Sequence, residues 1–88
     1  MEPEAVAQWM LTQIESHECI YQDDVVDYLV KLKADHLLRE NDDGNVVVGH
    51  AVLNAFKAIT SASVVWVRPD RYWRFRVPED EPGREVRG

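Results

Sequence analysis

Residues 64–77, VVWVRPDRYWRFRV, constrain the fold more than any other stretch, because two tryptophans, a tyrosine, a phenylalanine and four arginines flank a Pro-Asp pair. Proline presets the backbone angle of a turn and aspartate bonds to nearby amides, while the aromatic and β-branched flanks suit strands. The segment therefore reads as a β-hairpin. Symmetric closure about Pro69 and Asp70 places Trp66 opposite Trp73, Val64 opposite Phe75, Val67 opposite Tyr72 and Val65 opposite Arg74. Side chains alternate across a sheet, so Val64, Trp66, Trp73 and Phe75 share one face, expected to be buried. The other face carries Val65, Val67, Tyr72, Arg74 and Arg76, with Arg68 and Arg71 at the tip. A one-residue slip in register would exchange the two sets.

An 88-residue chain makes one domain whose core is marginal unless packing is good or a partner helps. Hydrophobic residues at 45% and three tryptophans argue for a folded chain. The lone Cys19 excludes an internal disulfide and suits a reducing compartment. No apolar run approaches the roughly 20 residues of a membrane span. The N-terminus, MEPEAVAQWM, carries acids where a secretory signal needs bases, so the expected address is the cytoplasm.

Charge is unevenly laid out. The total is -6, but residues 1–43 sum to -8, residues 44–78 to +4 and the remainder to -2. An acidic whole weighs against general nucleic-acid binding, since phosphate neutralisation supplies most of that affinity. The basic hairpin keeps a local form of it open.

Helical periodicity appears three times. Val6, Trp9, Met10 and Ile14 mark the inner face of a helix over about 3–16, with Pro3 in its first turn. After a short extended piece, Cys19 to Tyr21, a second helix runs over about 22–33 with Val25, Val26, Leu29 and Leu32 inward. Residues 37–40 and 46–48 flank Asp43-Gly44, a two-residue hairpin signal, and form a small ribbon. A third helix opens at Gly49 and His50 and runs to about Thr60, with Val52, Leu53, Phe56 and Ile59 as its stripe. Residues 1–78 thus make one domain. Residues 79–88, EDEPGREVRG, lack periodicity and read as a mobile tail.

This order of helix, strand, helix, ribbon, helix and hairpin gives an α+β class and resembles a winged helix, three helices followed by a two-stranded wing. A ribbon stands where a helix-turn-helix has a tight turn, which weighs against DNA reading by the third helix. The chain also resembles a small bacterial family of unknown function, of the integron-cassette, mobile-element type. That likeness rests on Tyr21-Gln22, Gly44-Asn45, Val52-Leu53 with Phe56 and Thr60, and the hairpin residues Val64, Val65, Trp66, Arg68, Trp73, Arg74 and Arg76. It spans roughly residues 5 to 77 and implies no activity, cofactor or catalytic residue.

The chemistry-bearing residues do not converge in sequence. His17, Cys19, His36 and His50 match no zinc spacing, so no metal or other cofactor is expected. Asp23-Asp24 and Asp42-Asp43 suit a helix start and a turn better than paired acid-base work. With no nucleophile beside a base, the chain reads as non-enzymatic. Tyrosine, tryptophan and arginine anchor interfaces, so Arg68, Arg71, Tyr72, Arg74 and Arg76 form the candidate interaction surface. The leading expectation is a protein-interaction module, a homodimer in which this hairpin meets an acidic surface, with Val65 and Val67 on an open edge strand. The alternative is a nucleic-acid-binding accessory protein using the same arginines. The outward residues of the third helix, His50, Asn54, Lys57, Ala58 and Ser61, offer it one lysine. A third reading is a small-molecule pocket at Trp66 or Trp73.

Overall fold

The first helix begins where the sequence places a proline and an acid. In the computed structural model, which describes residues 1–86, α1 spans Pro3–His17, with Pro3 at its start and Glu4 in its positive first turn. It stops because Glu18 turns left-handed (φ 71°) and its N–H donates back to the Ile14 carbonyl at 2.7 Å. A three-residue strand, β1 (Cys19–Tyr21), leads directly into α2 (Gln22–Lys31). The second helix ends in a Schellman pattern. Lys33 is left-handed (φ 56°) and donates to the Val30 carbonyl, while the Ala34 N–H reaches the Leu29 carbonyl at 2.9 Å. That turn cuts the helix short of residue 33 and leaves Leu32 exposed, although its spacing placed it inward.

A single 3-10 turn at Asp35–Leu37 feeds the ribbon of β2 (Leu38–Glu40) and β3 (Val46–Val48). Its loop is closed by Asn41, whose Oδ1 accepts the N–H groups of Asp43 and Asn45, with Gly44 at φ 82°. α3 (His50–Thr60) follows at once. Gly49 is required before it, because a Cβ there would sit 2.6 Å from the Leu37 carbonyl oxygen.

The hairpin of β4 (Val64–Val67) and β5 (Tyr72–Phe75) closes in the expected register, Trp66 against Trp73 and Val64 against Phe75. Its four-residue turn is completed by Arg71 at φ 55°, whose N–H donates to the Val67 carbonyl. β1 pairs antiparallel with β5, and a last strand, β6 (Glu85–Val86), pairs parallel with β4. The sheet order is β1-β5-β4-β6, beside the separate β2-β3 ribbon.

The core joins the three helices to one face of this sheet. Val6, Met10, Ile14, Val25, Leu29, Val52 and Phe56 are fully buried with Val64 and, nearly so, Trp73. Phe56 meets Trp73 edge-on at 5.7 Å, and at the margin Trp9 stacks flat on Tyr28 at 3.7 Å.

Four further sequence expectations are corrected. Of the face expected inside, Trp66 is half-buried, at the groove between α3 and the hairpin, and Phe75 is 38% exposed. Ile59, near the end of α3, is likewise exposed. Of the face expected outside, Val65 and Val67 are fully buried. They lie outside the main core, on the side where Arg74, cross-strand neighbour of Val65, binds Asp80 of the returning chain. β4 is therefore an interior strand, not an open edge. Residues 79–86, expected as a mobile tail, turn back and form β6, with the Trp66 and Arg68 N–H groups donating to the Arg84 and Val86 carbonyls. Arg87 and Gly88 of the same expected tail lie outside the described residues.

Candidate functional site

The five residues expected to act together are divided by the fold. Arg74 donates from both Nη atoms to the two Asp80 carboxylate oxygens, each at 2.9 Å, and Asp80 Oδ2 also accepts the Val77 N–H. The Arg74 hydrogen bond first, and the Val77 amide second, hold the Asp80 carboxyl down at about 2. Arg76 donates to the Glu81 and Gly83 carbonyls. Both arginines thus fasten the returning chain to the sheet, which removes them from the surface they were expected to form. Tyr72 packs its ring against Tyr21 at 5.1 Å.

Arg68 and Arg71 belong to a different place. They stand at the rim of a groove of about 650 Å³ between α3, the β2-β3 ribbon and the β4-β5 hairpin. Its floor is aromatic and apolar, built from Leu53, Phe56, Trp66 and Trp73, with Trp66 braced on Trp73 at 4.5 Å. Cations enter from four elements: Arg39 from the ribbon, Lys57 from α3, Arg68 and Arg71 from the hairpin turn, and Arg84 from the tail. His50, Asn54, Asn41 and Gln22 add further polar side chains. Among the described residues Glu85 is the one acid in the lining, 3.8 Å from Arg68 with both side chains largely exposed, a contact that screening makes weak.

Arg84 is the most constrained of these cations. Its Nη1 donates to the Thr60 and Val64 carbonyls at 2.8 and 3.0 Å, its Nη2 donates to Thr60 Oγ1 at 3.1 Å, and its guanidinium lies 5.5 Å from the Phe56 ring centre. Among the described residues no carboxylate lies within 4 Å of it, nor of Arg39, Lys57 or Arg71. Burial first, and repulsion from Arg76 second, lower the Arg84 pKa from its high ordinary value, the signature of a cation without an anion beside it. A groove with an aromatic floor and four cations lacking carboxylate partners is suited to an anionic ligand with a flat apolar part. The lining holds one histidine and no cysteine, serine or threonine. Among the described residues, no three His, Cys, Asp or Glu side chains come together as a metal site.

Sequence reasoning missed Arg39 and Arg84 altogether. Arg39 is an isolated base in the acidic half, and Arg84 sits in a stretch without periodicity. Only the chain's return along β4 brings Arg84 under α3.

The fold and groove define an α+β domain whose cationic surface is assembled from distant segments. Residues 2–75 match a family of unknown function (DUF6953), and the chain belongs to that family. No curated protein and no solved structure matches it. The family span ends with β5, so Asp80, Arg84 and β6 lie beyond it.

Proposed function

We propose that this chain is a non-enzymatic, winged-helix-like nucleic-acid-binding module whose working surface is the cationic groove. The observation that carries the reading is the convergence of Arg39, Lys57, Arg71 and Arg84, none with a carboxylate partner among the described residues, in a chain of net charge -6. A solvated surface would scatter its cations among the abundant acids. Here they are gathered on one concave face, with amide side chains between them that fit base edges. The winged-helix likeness rests on β1 joining the hairpin beside β5 and on the helix order, with the ribbon in place of the usual turn. Among the described residues no helix is long and apolar enough to cross a membrane, and a lone thiol at Cys19 fits a cytoplasmic setting.

The test is binding of a labelled oligonucleotide by fluorescence anisotropy to the native chain and to a variant combining Arg39→Gln, Lys57→Gln, Arg68→Gln and Arg71→Gln. All four side chains are exposed, so the variant should keep its fold, with circular dichroism as the check. The variant should lose at least tenfold in affinity, and equal affinity would overturn the reading.

A second reading is favoured by the exposed acids of α1 and α2, among them Glu15, Asp23 and Asp24, which oppose the groove in charge. In it the groove of one protomer takes the acidic face of another, forming a homodimer. Light scattering at high protein concentration tests it: a dimer that dissociates with salt supports it, and a monomer throughout removes it.

A further inference from the structure

We infer that the groove takes single-stranded rather than double-stranded nucleic acid, an unpaired base stacking on Trp66 while its phosphates lie against Arg68 and Arg84. This inference rests on the nucleic-acid reading above and narrows its ligand.

Shape argues first. A helix that reads duplex DNA must protrude, because it enters a major groove about 12 Å wide. Here the solvent-facing residues of α3, His50, Asn54 and Lys57, line a concavity walled on one side by the ribbon and on the other by the hairpin. A helix recessed in this way cannot enter a duplex. A cavity of about 650 Å³ lies within the size range of small-ligand sites, which suits a nucleotide or two with bases turned out.

The floor argues second. Single-strand binders pair a basic channel with aromatic rings, since every base has a face to stack. Trp66 is half-buried, so part of its ring remains open to the groove. It is held from behind by Trp73, which meets Phe56 edge-on. A ring fixed in advance loses little freedom when a base lands on it.

Arg84 argues third. Its guanidinium is anchored by carbonyls and a hydroxyl rather than by a carboxylate, which positions the charge without neutralising it. Backbone anchoring of this kind leaves the cation to be matched by an incoming phosphate. Arg84 itself lies beyond residues 2–75, the part of the chain that matches the family.

The experiment compares an eight-nucleotide single strand of mixed sequence with its own duplex, at low salt, by anisotropy and by quenching of tryptophan emission. The native chain should prefer the single strand by tenfold or more and show quenching. Trp66→Leu should weaken single-strand binding about 5- to 150-fold, the range that stacking one base supports. If Trp66→Leu misfolds by circular dichroism, Lys57→Gln supplies the check: it should weaken single-strand binding without moving the melting temperature. Equal or tighter binding of the duplex by the native chain, unmoved by Trp66→Leu, would overturn the single-strand inference while leaving the nucleic-acid reading in place. No binding of either form would overturn the nucleic-acid reading itself.

Discussion

Arg74 and Asp80 meet as a two-pronged pair, each guanidinium Nη 2.9 Å from a different carboxylate oxygen, with the Asp80 side chain 8% exposed. This contact turns the chain back after β5 and lays the following residues along β4. Planar arginine suits it, since the fork fixes direction as well as distance.

The Asp80 pair sets an acid limit. Its carboxyl lies at about 2 in the folded chain, below the ordinary 3.8, so the folded state holds the charged form more strongly than the unfolded state does. A depressed carboxylate contributes stability that is complete above about pH 4 and is lost as pH falls through about 2. Asp80→Asn should therefore lower the melting temperature clearly at pH 6 and much less at pH 2. An equal difference at both values would show that the pair does not couple to protonation.

Removal of the tail should uncover Val65 and Val67. Both are fully buried, and both belong to an interior strand only because β6 is present. A chain ending at residue 77 should melt at lower temperature and bind a hydrophobic dye, with a tendency to self-associate through the bared edge of β4. Unchanged melting and no dye binding would mean that the tail contributes nothing to the sheet.

Two glycines should differ in what they tolerate. Gly44 has φ 82° with open space about it, so Gly44→Ala costs only the left-handed strain, about 1 kcal/mol. At Gly49 an added methyl meets the backbone oxygen of Leu37 at 2.6 Å, and Gly49 also donates its N–H to that oxygen. Gly49→Ala must push the 3-10 turn away from α3, costing about 1–3 kcal/mol or more by overpacking. Chemical denaturation should rank Gly49→Ala as the more damaging of the two.

Much of the scaffold is legible in local sequence. Helix stripes such as Val6, Met10 and Ile14, the Asp43-Gly44 turn, and the pairing of Trp66 with Trp73 all follow from spacings of a few residues. The groove does not. Arg39, Lys57, Arg71 and Arg84 are separated by 13 to 18 residues and come from four elements, so no window contains the site. The burial of Val65 and Val67 escapes for the same reason: alternation predicts which side chains share a face, not whether a later segment covers that face. Arg74 and Arg76 look like a binding surface in sequence because their partners, Asp80 and the carbonyls of Glu81 and Gly83, sit in a stretch with no pattern.

The most direct measurement of the central claim is the salt dependence of oligonucleotide affinity. Binding by the five groove cations to a single strand should give a log-log slope of roughly -3.5, from about 0.7 counterion released per phosphate. A slope near -3.5 that falls to roughly -0.7, the share of Arg84, when Arg39, Lys57, Arg68 and Arg71 are neutralised is the predicted result. A flat salt response, or no binding at low salt, would contradict the account.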